Sequence, residues 1–204
     1  MKQPILAILL IAFLSLTCYS QSANILKFVP QGYSILELKK GDLNLDSIED
    51  AVLVLDKNGE DSTSTIKNPV KRNLLILIGQ PNGIYMLDTQ NENAVYYYGF
   101  DANFKDAFVG VRIEKGRFTI EHYGGFSKRW GRTTTFEFNP SANDWLLLED
   151  EYSVMDATDQ DEPNKVISET KLTNKNFGAI PFGKFNIYEG FEIVPTKLYQ
   201  KGKR

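Results

Sequence analysis

Hydrophobic positions in this chain fall in short runs, and sustained helical periodicity is almost absent. Runs rich in β-branched and aromatic residues, bounded by Gly, Asn, Asp and Pro, recur instead and predict strands joined by tight turns. Segments 24–29 and 33–38 predict two initial strands around Pro30-Gln31-Gly32. Residues 51–55 are a continuous apolar run, Ala-Val-Leu-Val-Leu, which predicts a central strand buried on both faces. Residues 57–71 are polar except for Ile66 and Val70 and predict a long exposed loop. The acidic run 56–61 has irregular carboxylate spacing and reads as a solvated turn. Next comes a buried strand over 73–78, a turn at Gly79-Gln80-Pro81-Asn82-Gly83 and a returning strand over 84–87. After the polar stretch 88–93, the tyrosine-rich segment 94–100 predicts a short strand or a turn packed on the sheet.

Strands over 107–114 and 117–123 flank Lys115-Gly116, a connection of hairpin type. Strands over 130–138 and 145–152 flank a turn at 139–144, and 165–172 reads as the last strand, after an exposed acidic loop at 156–164. Phe177, Phe182 and Phe185 are expected to anchor a loop or short helical turn across the base of the sheets, and the basic end 197–204 to fray. This order predicts an all-β fold of antiparallel meander sheets.

The N-terminus departs from the pattern. Lys2 precedes an apolar run over 5–16 that is short for a membrane span and is followed by small polar residues, the anatomy of a secretory signal. Cleavage after Ser20 would leave residues 21–204, a size suited to a single all-β domain, secreted or periplasmic and without a transmembrane segment. The alternative is a lipoprotein leader in which Cys18 is lipidated and tethers the chain; Leu14-Ser15-Leu16-Thr17-Cys18 resembles a lipobox, with Ser15 where leucine is expected. Cys18 is the only cysteine, so cleavage after Ser20 leaves neither disulfides nor thiolate chemistry. With 23 Lys and Arg against 26 Asp and Glu, the chain lacks the concentrated basic field of a nucleic-acid surface.

One stretch names a chemistry. In Gly41-Asp42-Leu43-Asn44-Leu45-Asp46-Ser47-Ile48-Glu49-Asp50, oxygen donors alternate at Asp42, Asn44 and Asp46, and Asp50 follows at the ninth position of the loop. That spacing suits hard ligands converging on one Ca²⁺. The twelfth position, where a helix-loop-helix site carries a bidentate Glu, is Leu53, which excludes a standard EF-hand. The stretch resembles the FG-GAP-type calcium turn, Asp-x-Asx-x-Asp-Gly-x-x-Asp followed by an apolar strand, found in β-propeller blades. The resemblance implies side-chain ligands from Asp42, Asn44 and Asp46, a carbonyl ligand from Ile48, and Asp50 bound directly or through water. Ser47 stands where the family has Gly at a positive φ, which costs a residue with a Cβ about 1–2 kcal/mol. The bland reading of the same residues is an acidic β-turn without an ion.

An enzyme is not expected. His122 is the only histidine, which removes histidine-based zinc clusters, and no nucleophile elbow, phosphate loop or dinucleotide fingerprint occurs. Acid pairs suited to glycoside chemistry do not stand out from the acidic background. The segment 122–132 is the candidate recognition surface: Tyr123, Phe126, Lys128, Arg129, Trp130 and Arg132 combine aromatics and cations around Gly124-Gly125. It reads either as a protruding loop or as a long connection whose aromatics fold back on the core.

Taken together, the leader, Val29-Pro30-Gln31-Gly32-Tyr33, the acidic turn running into Val52-Leu53-Val54-Leu55 and the Gly-rich aromatic segment resemble a group of secreted bacterial proteins. Some of these are similar to periplasmic lysozyme inhibitors of the invertebrate-type class, incomplete β-propellers with a calcium turn. The Ser-Gly pair of those inhibitors' blocking loop is absent here. The resemblance implies a calcium-stabilised domain that binds a macromolecular partner such as a cell-wall hydrolase. A glycan- or envelope-binding module that uses Tyr123, Phe126 and Trp130 as stacking platforms is the alternative.

Overall fold

The structure, a computed structural model, describes residues 25–101, 106–162 and 164–189. The expectations for the leader, Cys18 and the basic end lie outside these residues. The protein is all-β, with two antiparallel meanders in succession. The first runs β1 (Tyr33–Gly41), β2 (Asp50–Lys57), β3 (Asn73–Gly79) and β4 (Tyr85–Asn91). The second runs β5 (Phe108–Glu114), β6 (Arg117–Gly125), β7 (Lys128–Asn139), β8 (Asp144–Asp156) and β9 (Lys165–Thr173). In each sheet the strand order is the chain order, so every connection joins neighbours and none crosses over. Among the described residues no helix is long and apolar enough to cross a membrane.

Period-two alternation divides β2 between two cores. Val52 and Val54 join Leu74 and Ile76 in a large core shared with Phe118, Ile120, Phe136, Trp145 and Leu147 of the second sheet. Ala51, Leu53 and Leu55 face the other way, with Leu75, Leu77, Tyr85 and Ile25. The continuous apolar run at 51–55 is therefore a central strand buried on both faces, as its composition predicts.

Three expectations change. Segment 24–29 is not a strand where it is described: residues 25–26 are helical, and Phe28 and Val29 donate back to the carbonyls of Ile25 and Leu26, at 2.9 and 3.1 Å. Ile25 anchors that turn in the second core. The loop 57–71 carries a short helix α1 (Glu60–Thr63), whose first residue is buried rather than solvated. β4 runs past residue 87 to Asn91, with Asp88 bulged between Leu87 and Thr89. It is an outer strand of its sheet, so polar side chains can face water there. Segment 94–100 takes the second of its two expected forms, a packed turn, with Ala94, Val95 and Tyr96 in the main core.

At the base, a second short helix α2 (Asn174–Phe177) and a 3₁₀ turn (Phe182–Lys184) follow β9. Phe182 and Phe185 insert into the main core, whereas Phe177 is only partly buried. Asn91 holds this segment by donating to the carbonyls of Phe182 and Phe185.

Candidate functional site

The acidic turn between β1 and β2 is built from side-chain oxygens that catch its own backbone. Asn44 Oδ1 accepts from the Asp46 N–H at 3.1 Å, Asp46 Oδ1 from Ile48 at 2.7 Å, and Asp42 Oδ2 from Ser47 at 3.2 Å. These local bonds hold Leu45 and Ser47 in the left-handed region, each at φ 69°. Asp50 is fully buried and its carboxylate is engaged on both oxygens. Leu43 and Asn44 donate to Oδ2 at 2.8 and 3.3 Å, and Gly79 of β3 donates to Oδ1 at 2.9 Å. Burial raises the Asp50 carboxyl above its usual range, while the Gly79 and Leu43 N–H groups pull it back.

Neighbouring elements lock this turn between the two sheets. The Gly116 N–H, in the β5–β6 connection, donates to the Asp42 carbonyl at 2.9 Å. The Trp145 indole of β8 donates to the Leu43 carbonyl at 3.3 Å, and Leu43 itself is in the main core. Gly79 has to be glycine: a Cβ there would lie 2.2 Å from the Glu49 carbonyl oxygen. The five positions Asp42, Asn44, Asp46, Ile48 and Asp50 thus share one turn, but their roles differ. Asp50 anchors backbone. Asp42 Oδ1 is buried without a hydrogen-bond partner, and Asn44 and Asp46 present the remaining oxygens at an exposed or half-exposed rim. Among the described residues no three His, Cys, Asp or Glu side chains are grouped closely enough to hold a metal.

Segment 122–132 is neither a long loop nor a single surface. β6 and β7 stay paired through Gly125 and Arg129, so the connection shrinks to the turn at 126–127. Gly125, at φ 87°, makes this possible, since a Cβ there would lie 2.1 Å from the Lys128 carbonyl. Phe126 projects at the tip, 79% exposed. Lys128 pairs with Asp156 at 3.1 Å, and Arg129 donates to Asn164 at 2.9 Å, both on the surface. Tyr123 is half-buried, its N–H donating to the Ala107 carbonyl at 2.8 Å.

Trp130 and Arg132 belong elsewhere. The Trp130 indole donates to Asp101 Oδ2 at 2.8 Å, and its ring packs edge-on to Tyr96 and stacks with Tyr152. Arg132, placed on the recognition surface by its sequence neighbours, is buried instead. It holds Asp150 through two bonds of 3.0 and 2.7 Å and donates to the Tyr96 hydroxyl at 2.7 Å and to the Ile187 carbonyl at 3.1 Å. The reason is strand alternation: Arg132 lies opposite His122 and Tyr152 on the same inward row system as Phe118, Phe136 and Leu147.

A polar hub therefore sits at one end of the main core, and the sequence does not announce it. His122 is buried, with Nε2 accepting the Tyr96 N–H at 3.2 Å and Nδ1 left without a partner. Burial, with Arg132 and Arg72 nearby, holds its pKa well below the ordinary histidine value. Arg72 is buried as well, bridging Glu60 and Asp106. These partners lie far apart along the chain, so only the triple tyrosine around Tyr96 hints at a packed centre. Comparison with models of known families and with curated proteins finds no match to this chain.

Proposed function

We propose that this protein is a secreted, calcium-stabilised β-domain that binds a macromolecular partner, with a cell-wall hydrolase such as lysozyme as the first candidate. The observation that carries the reading is the acidic turn: Asp42 Oδ1 is buried without a donor, in the same turn whose backbone the side-chain oxygens of Asn44 and Asp46 hold. An ion there would be held by Asp42, Asn44, Asp46 and the Ile48 carbonyl, with Asp50 fixing the backbone behind them. The first sheet is a four-stranded meander, the unit from which propeller blades are built, in keeping with an incomplete propeller. In this reading the turn serves as a clip between the sheets, held to the second sheet by Gly116 and Trp145.

The partner surface of this reading is the tip of the β6–β7 hairpin, where Phe126 is exposed between Tyr123 and the cations Lys128 and Arg129. The glycan-platform alternative has less to rest on, because Trp130 is engaged by Asp101, Tyr96 and Tyr152. Two measurements test the proposal. Calcium should raise the melting temperature, by the equivalent of about 2.7 kcal/mol at a hundredfold excess over Kd, and Asp46→Ala should abolish the increment. Identical melting in chelator and in millimolar calcium rejects the ion. Lysozyme activity should fall when the protein is added in excess, and Phe126→Ala should restore it without changing the melting temperature; undiminished activity removes lysozyme as the partner.

A further inference from the structure

A second acidic feature lies at the opposite end of β2 from the calcium turn. There, β2 ends at Lys57 and the chain reverses through Asn58 and Gly59, the latter at φ 78°, into α1. The reversal opens a cleft of about 410 Å³ bordered by Ser34, Leu36, Asn58 and Tyr98. Four carboxylates line it, those of Asp56, Glu60, Asp61 and Asp106, against the one guanidinium of Arg72.

Arg72 does not neutralise this set. Its Nε and Nη2 donate to Glu60 Oε1, its Nη1 and Nη2 each donate to Asp106 at 2.8 Å, and Nη1 also donates to the Tyr96 carbonyl at 3.3 Å. All five N–H groups of the guanidinium are thereby occupied. Two acceptors are left over. The Glu60 side chain is only 5% exposed, yet its Oε2 has no hydrogen-bond partner, and Asp56 Oδ1 is likewise buried and unpartnered. Such orphaned carboxylate oxygens are unfavourable unless a donor reaches them. Burial, with added repulsion from Asp56 and Asp106, raises the Glu60 carboxyl above its usual range despite Arg72.

The carboxylates are not grouped tightly enough to hold a metal. Spread acceptors beside an aromatic ring and an aliphatic wall suit a larger cation, one that donates several N–H bonds while its carbon stem lies on Leu36 and its head faces Tyr98. We propose that this cleft binds the cationic head of an arginine or lysine side chain presented by a partner polypeptide, with Asp56, Glu60 and Asp61 as its acceptors. The site is separate from the calcium turn and from Phe126, so its failure leaves the lysozyme and calcium tests untouched.

The test is a titration of the ¹⁵N-labelled protein with Nα-acetyl-L-arginine amide and Nα-acetyl-L-lysine amide. Saturable shifts are expected at the amides of Asn58, Gly59 and Glu60 and at the Tyr98 ring for at least one of them. The neutral isostere Nα-acetyl-L-citrulline amide should produce none. Asp61→Asn, an exposed position, and Asp56→Asn should each weaken the binding about tenfold, which is about 1.4 kcal/mol. Absence of saturable shifts at millimolar ligand, equal shifts with citrulline, or undiminished binding by both variants would overturn the proposal. So would calcium alone moving the same resonances, which would make the cleft a metal site.

Discussion

Ser47 shows how much one side chain can hold against its own preference. Its φ of 69° is the conformation in which a Cβ is strained, and the turn retains it because Asp42 accepts the Ser47 N–H and Asp46 accepts that of Ile48. Ser47→Gly should therefore stabilise the protein by about 0.5–1 kcal/mol, the relieved strain being partly offset by the freer unfolded chain. Urea denaturation of the two forms without added metal measures it; equal or lower stability would show that the strain is relieved elsewhere. This positive φ is foreshadowed by the glycine expected in an FG-GAP-type turn. The same φ at Leu45 is not foreshadowed, since leucine does not favour that region; the Asn44 side chain closes the turn around it, and its side chain packs so closely on Gly116 that a Cβ there would come within 2.8 Å of it.

Among the elements, the junction of β1, β2 and β3 depends on Asp50. Its carboxylate takes N–H bonds from Leu43, Asn44 and Gly79, so a side chain at the start of β2 closes one turn and ties it to the end of β3. Asp50→Ala leaves those donors without their acceptor in a buried place and should destabilise by about 3 kcal/mol or more, with calcium absent. Thermal unfolding in chelator separates this from any role as a ligand: a loss seen only with calcium present would make Asp50 chiefly a metal group. The hairpin of β6 and β7 illustrates the opposite kind of element. Its pairing continues to the tip, so what reads as a protruding loop or a folded-back connection is a paired hairpin with Phe126 exposed at its tip.

Across the whole molecule, the polar hub joins strands of the second sheet to the segments around Tyr96 and Ile187. Arg132→Ala would strand the buried Asp150 carboxylate and should cost about 3–5 kcal/mol. His122 gives the hub a pH signature. Histidine titrates near pH 6.5 in the unfolded chain, and the folded group sits well below that. Above about pH 6.5 both states are neutral and the contribution is complete. As pH falls below it, the unfolded chain takes up a proton that buried His122 refuses, so stability declines by up to about 1.4 kcal/mol per pH unit until the folded group titrates. The raised carboxyls of Asp50 and Glu60 act in the opposite sense, since acid neutralises charges that the fold disfavours. Comparing the protein with His122→Gln between pH 7 and 5 isolates the histidine: the variant should lack the decline, and parallel curves would exclude His122 as its source.

Local chemistry was enough to establish most strands and turns, the doubly buried β2 and the alternating oxygens at Asp42, Asn44 and Asp46. Each depends on side-chain period, backbone preference or spacing within about ten residues, and such information is written contiguously. The tertiary structure decided which charges are inside. Arg72, Glu60, Arg132 and Asp150 look like surface residues one at a time and are buried only because distant partners meet them. It also decided that Asp50 anchors backbone instead of presenting a free carboxylate, since one of its donors, Gly79, arrives from β3. Burying a charge requires a partner placed by folding, and no local pattern encodes where that partner will be.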